Sequence, residues 1–351
     1  MAKRRNARIQ YLRGILFLAV LGFHCVVPGF DFGWAGVQVF FVISSFFIVM
    51  KYSVREEISC LESIKDRIKK IYRPYLLVVL LSIGFGFYHY RILPVKDIIS
   101  HVLLVQNLQW IFLPYNQQFQ MYTQHLWTMC MEMWIGCSII ILLKKSKRPA
   151  MSKIAYVLII IAVLYRSIMI LCNSRTEVIT LCPLTYLDSF GCGILLTEII
   201  RNENKKQGYL ICGVTGFLGI LVSIYAVGKV NGVSYIEGYK LLRNSMHYMN
   251  NLISGNIFLF ISLLSISIVG LLLSQEERNG SKINILAKGL LYLGNNSFLL
   301  YLVHWIVLVE VKRYGANTWI MKLMPTFFIS VILVMLYNYF AKHLHKPKQN
   351  S

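Results

Sequence analysis

Arg13 and His24 stand eleven residues apart in the first apolar run of the sequence. That spacing is about three helical turns, so on a helix the two share a face, roughly 16 Å apart along the axis. An imidazole is suited to take a proton from a hydroxyl near neutral pH. A guanidinium binds anions or stabilises negative charge developing on a carbonyl oxygen. Alone, the pair also reads as an arginine snorkelling to an interface and a histidine in an interhelical hydrogen bond. Other apolar runs carry Glu132, Arg166, Asp188 and His304. Counted from the ends of their runs, all four fall near the depth of His24. Ionisable groups cost about 2.5 kcal/mol or more each inside a bilayer and are functional candidates by default. A layer of them fits a proton relay or a hydrated catalytic chamber, although Asp188 also reads as a salt-bridge partner for Arg166.

A second set lies in the basic segment from Lys65 to Tyr75. Arg67 and Lys70 are spaced to share a helical face, and Arg73 follows before Pro74. This is either a positive anchor at the membrane surface or a clamp for an anionic substrate with several phosphates. Ser297, Tyr301 and His304 recur at i, i+4 and i+7, also one face, which suits interhelical hydrogen bonds or contact with a substrate. Trp127 is an interfacial anchor or a stacking platform for a sugar. His89, His101, His247, His343 and His345 lie near run ends or in loops and receive no role.

The elements that must position these groups follow from composition. Of 351 residues, 56% are hydrophobic and 15% charged, which excludes an ordinary water-soluble protein. Ten apolar runs lie near 9–29, 34–50, 75–93, 123–143, 153–172, 180–200, 208–228, 251–274, 289–311 and 319–341. Each has about the 20 residues a spanning helix needs. They lack the alternation of barrel strands, so the predicted fold is an all-α polytopic membrane bundle of about ten transmembrane helices. It forms one domain over 1–345, with a short tail over 346–351.

The net charge is +21. Assigning connecting segments alternately to the two sides puts 25 basic residues on the side of the termini and eight on the other. By the positive-inside rule both termini are expected in the cytoplasm, and the charge needs no nucleic-acid partner. The first run contains Arg13 and ends without a small-x-small site, so no cleavable signal peptide is expected. The eight cysteines include no C-x-x-C and read mainly as apolar packing residues, with Cys172 and Cys182 a candidate pair. No metal site is expected.

Several stretches, in order along nearly the whole chain, resemble the acyltransferase-3 family of integral-membrane acyltransferases. Arg13 and His24 match its Arg, ten residues, His pattern in the first span. Gly36-Val37-Gln38-Val39-Phe40-Phe41-Val42-Ile43-Ser44-Ser45-Phe46 resembles G-V-D-x-F-F-V-I-S-G-F, with Gln38 and Ser45 as departures. Arg67, Lys70, Ile71 and Tyr72 resemble R-x-x-R-I-x-P, with Lys70 replacing the second Arg and Arg73 preceding Pro74. His125-Leu126-Trp127-Thr128-Met129-Cys130-Met131-Glu132 is similar to H-x-W-S-L-x-x-E. Leu293-Gly294-Asn295-Asn296-Ser297-Phe298-Leu299-Leu300-Tyr301-Leu302-Val303-His304 is similar to L-G-x-x-S-Y-x-x-Y-L-x-H.

The resemblance implies transfer of an acyl group, often acetyl, from cytosolic acyl-CoA to a hydroxyl of a cell-envelope glycan or lipid-linked saccharide. Acetyl-CoA is then a donor substrate, and no bound cofactor is expected. In this layout His24 is the base, Glu132 orients or charge-pairs with it, and Arg13 meets the donor or the carbonyl oxygen. Arg67, Lys70 and Arg73 hold the CoA phosphates, while Trp127, Ser297, Tyr301 and His304 line the acceptor side. After the tenth run only a short tail remains, so no fused esterase-like domain is expected. The competing reading is a proton-coupled transporter or glycan-lipid flippase, which the same polar layer would serve, although no inverted repeat is visible.

Overall fold

In lipid a segment must satisfy its own backbone hydrogen bonds, which leaves helices for runs without period-two alternation. A computed structural model of the chain describes residues 6–53, 58–145, 150–202, 204–275 and 284–344. Among the described residues every regular element is a helix. Ten are long: α1 (Ala7–His24), α2 (Ala35–Tyr52), α3 (Cys60–Tyr90), α4 (Trp127–Lys145), α5 (Ala150–Leu171), α6 (Leu187–Arg201), α7 (Lys205–Val230), α8 (Ile257–Ser274), α9 (Ile285–Arg313) and α10 (Trp319–Leu344). Among the described residues, eight segments are long and apolar enough to cross a membrane by themselves. The other two long helices are α1, which carries Arg8, Gln10 and Arg13, and α6, which has only 15 residues. The chain is a polytopic membrane protein.

Helix boundaries depart from the expected runs for local reasons. Helix α3 starts at Cys60 rather than near 75, because Ser59 and Glu62 form a reciprocal capping box and the helix continues through Pro74. At 31 residues it is about 46 Å long, more than a hydrocarbon core needs. Helix α6 starts at Leu187 rather than near 180, after a tight turn of 3₁₀ helix at Pro183–Tyr186. Asp188 therefore sits in the first turn of α6, not nine residues into a span.

The long helices alternate in direction, so α1 begins and α10 finishes at the same end of the bundle, here the near end. The short helices Val95–Val102, Gln106–Phe112, Gln117–Thr123, Thr176–Leu181 and Tyr235–Leu241 all lie in connections at the far end. Lys3, Arg4, Arg5, Arg55, Lys147, Arg148, Arg278, Lys282, His345 and the 346–351 tail lie outside the described residues. Cys172 and Cys182 are both free thiols.

Small residues and paired polar groups hold the helices together, as expected where lipid is as apolar as leucine. The backbone of α1 lies directly on that of α9: a Cβ at Gly14 would meet the Leu290 carbonyl, and one at Gly294 the Gln10 backbone. Helix α6 packs on α5 and α2, with Gly191 against Ala155 and Gly193 against Val42. Above this contact Arg166 of α5 and Asp188 of α6 form an ion pair at 2.6 Å, with both side chains wholly buried. The Arg166 Nε also donates to Asn256 Oδ1 at 3.1 Å, and Asp188 accepts from the Ser189 N–H at 2.7 Å. With its remaining groups satisfied, the pair is tolerable in the interior, where removing either partner strands a charge.

Two stability predictions follow from these contacts. Gly294→Ala forces the α1 and α9 backbones apart and costs about 1–3 kcal/mol. Gly289→Ala, on the same helix with open space around it, is neutral or stabilising by up to about 1 kcal/mol. Thermal unfolding of the two variants in detergent gives the comparison. In the connection after α3, His101 is fully buried between Trp110 and Phe119, and burial holds its pKa down to about 4. The unfolded chain thus binds the extra proton first, and this contribution is complete above about pH 6.5 and lost as pH falls toward 4. His101→Phe should flatten the fall in melting temperature measured across that window.

Candidate active site

At the far end α1 stops at His24 because Val26 takes a left-handed conformation (φ 62°) and the Val27 N–H bonds back to the Gly22 carbonyl at 2.9 Å. This leaves the half-buried His24 at the helix mouth. Its ring lies 5.4 Å from that of His304 and 4.7 Å from that of Trp305, both on α9. A third imidazole, His125, sits in the 3₁₀ turn Gln124–Leu126 before α4, 5.7 Å from His304. Three histidines from three parts of the chain thus form one cluster.

Hydrogen bonds determine how two of these rings are presented. His304 Nδ1 lies 2.6 Å from the Tyr301 carbonyl, and His125 Nε2 lies 2.8 Å from the Leu302 carbonyl. A carbonyl oxygen only accepts, so each of these nitrogens carries the hydrogen. In the neutral rings, His304 Nε2 and His125 Nδ1 then bear lone pairs, and both are buried without a hydrogen-bond partner. The surrounding groups are fixed in turn. The Tyr301 hydroxyl donates to the His125 carbonyl at 3.0 Å, and the Trp305 indole N–H donates to the Met121 carbonyl at 2.8 Å. The site therefore presents two unpartnered imidazole nitrogens, held by neighbours that are themselves hydrogen-bonded.

Glu132 does not join this cluster. It lies seven residues beyond His125, about 10 Å toward the near end. The expected pairing with His24 is replaced by two other partners: Ser44 donates to Glu132 Oε1, and Arg67 Nη2 lies 3.4 Å from the same oxygen. The other carboxylate oxygen, Oε2, is buried and unpartnered. Arg67 also donates to the Glu132 carbonyl at 2.5 Å. Its guanidinium occupies the space that a side chain at position 136 would need, so Gly136 is what admits it. Burial of Arg67 corrects the expectation of a shared cationic face, since Lys70 and Arg73 are exposed while Arg67 points into the bundle.

The remaining candidates divide. Tyr301 and His304 reach the cluster, whereas the Ser297 hydroxyl donates to its own helix at the Gly294 carbonyl, 3.0 Å away. Trp127 packs on Tyr186 at 5.0 Å and Phe41 at 6.3 Å. Arg13 lies in the near-end half of α1, with Nη1 3.4 Å from Gln10 Oε1. His125 and Trp305 carried no assigned role in the sequence, although His125 lies in one of the stretches quoted above and Trp305 directly follows another. A cavity of about 610 Å³ lies between α3, α9 and α10, lined by Leu81, Phe85, Val303, Val307, Val311 and Ile329. Tyr301, His304 and Trp305 are not among its lining residues, and Glu310 is the carboxylate on the cavity wall. Glu310 is engaged by His89 at 2.9 Å and the Tyr122 hydroxyl at 2.7 Å.

A family model described as an acyltransferase domain matches residues 6–339. Curated relatives include the O-acetyltransferase OatA of Staphylococcus aureus strains NCTC 8325 / PS 47, COL and MRSA252. Each is 24% identical over 331 residues, covering 86% of this chain and 50% of the relative. The chain spans about half the length of the curated relatives it matches. No solved structure matches. The matched region contains the histidine cluster, the Arg67–Glu132 pair and the long helices that hold them, and on that match the chain belongs to the acyltransferase-3 family of integral-membrane acyltransferases.

Proposed function

We propose that the protein transfers an acyl group, acetyl by analogy with its curated relatives, from acyl-CoA to a hydroxyl of a cell-envelope glycan or lipid-linked saccharide. The observation that carries this reading is the contact of His24 with His304, a ring whose Nδ1 hydrogen is already committed to a carbonyl. In the proposed reaction His24 takes the proton of the acceptor hydroxyl as its oxygen attacks the thioester carbonyl. The new ester bond forms, the carbon–sulfur bond breaks, and the leaving thiolate recovers the proton from His24. His304 and Trp305 hold the His24 ring in place, the part first expected of Glu132.

The near end faces the cytosol in this proposal, as the charge asymmetry favours. There the exposed Lys70 and Arg73 meet the CoA phosphates. Arg67 and Glu132 line the passage between the donor and the histidines, and Arg13 lies on the same helix as the base.

Three measurements test the reading. In proteoliposomes supplied with labelled acetyl-CoA and envelope saccharide, His24→Ala should lower kcat by about 10²-fold or more with little change in donor KM. Unchanged turnover would remove His24 from the chemistry. Lys70→Gln with Arg73→Gln should raise the acetyl-CoA KM about tenfold while kcat holds; an unaltered KM would place the donor elsewhere. For orientation, an impermeant maleimide added to intact cells should modify the exposed far-end Cys172 and leave the near-end Cys60 unmodified. The reverse pattern would invert the topology.

A further inference from the structure

At the far end, beyond His24, two lysines flank the connection from α9 to α10. Lys312 is exposed, with Nζ 5.5 Å from the centroid of the Trp305 ring, the same ring that packs on His24. Lys322 enters from the start of α10, within electrostatic reach of Lys312 and of Cys25, the residue after His24. Arg243 also lies within reach of His24, but Asp31 neutralises it at 2.8 Å. Among the described residues no carboxylate pairs with Lys312 or Lys322. The nearest acid in sequence, Glu310, is held by His89, Tyr122 and Arg313. It lies two residues before Lys312, on the opposite side of α9.

Two like charges on neighbouring helices without a counter-ion repel each other, and an anion between them removes the repulsion. Trp305 adds a flat ring beside them, fixed by its bond to the Met121 carbonyl. We infer that Lys312 and Lys322 bind an anionic group, a carboxylate or a phosphate, on the acceptor that brings its hydroxyl to His24. The inference rests on the acyl-transfer reading of the His24 site and adds the charge class of its acceptor. Ammonium groups are point charges rather than bidentate forks, so they suit either anion.

Binding tests this without requiring turnover. The full-length protein in nanodiscs is dialysed against a neutral disaccharide, a uronate-containing disaccharide and an alkyl-phosphate-linked disaccharide. Wild-type protein should bind at least one acidic sugar about tenfold more tightly than the neutral one. The preference should fall to within about twofold in Lys312→Gln with Lys322→Gln, and weaken in high salt. Preference for the uronate alone identifies a sugar acid, and preference for the phosphate alone identifies the link to a lipid carrier; either supports the proposal. Equal binding of all three sugars by wild type overturns it, as does a preference that survives the double substitution. It also fails if the substitutions change only the retention of anionic phospholipid, read by mass spectrometry of co-purified lipid. Acidic-sugar preference without acyl transfer would count against the reaction proposed for His24 while leaving the anion site standing.

Discussion

The far-end histidine cluster depends on how closely α1 can lie on α9. Hydrocarbon surfaces gain nothing by leaving lipid for each other, so the approach must come from shape, and Gly14 and Gly294 let backbone meet backbone. From that contact both helices run toward the far end side by side. Phe17 meets the edge of His304 at 6.1 Å, and His24 reaches the same ring farther along. A bulkier residue in the seam would widen the spacing at which two imidazoles face each other, even though neither glycine touches them.

The interior polar groups fall into separate centres rather than one layer. Arg166 and Asp188 satisfy each other and tie α5 to α6, a structural role in which each charge justifies the other. Arg67, Glu132 and Ser44 form a second centre on the inward faces of α3, α4 and α2, and one carboxylate oxygen there stays unpaired. The histidines form the third. His304 Nε2 and His125 Nδ1 stay unpaired there, as Glu132 Oε2 does in the second centre, and a buried polar atom without a partner is costly in a folded protein.

Much of this was legible in the residues because helical periodicity survives any choice of partner. The apolar runs, the shared face of Tyr301 and His304, and the pairing of Arg166 with Asp188 follow from spacing and charge. Depth was harder to read. Glu132 seemed level with His24 because the run containing His24 appears to continue to 29, whereas α1 ends at His24 and leaves that ring at the far-end mouth. Arg67 resembled its basic neighbours, and only the gap at Gly136, 69 residues later in the chain, shows why it turns inward. His125 belongs to the cluster through its contacts with α9, which no local pattern around it reveals.

The α1–α9 seam also has a consequence in time. Gly14 and its partner on α9 are separated by roughly 280 residues, so α1 enters the membrane long before the surface that completes it exists. At about 5–20 residues per second, the interval on the ribosome is on the order of 15–60 s. During it the first helix, with two arginines, must be sheltered by α2 or by the insertion machinery. A nascent chain stalled before α9 would carry His24 without either of the α9 rings that pack on it, so the histidine cluster forms only after most of these helices have been made.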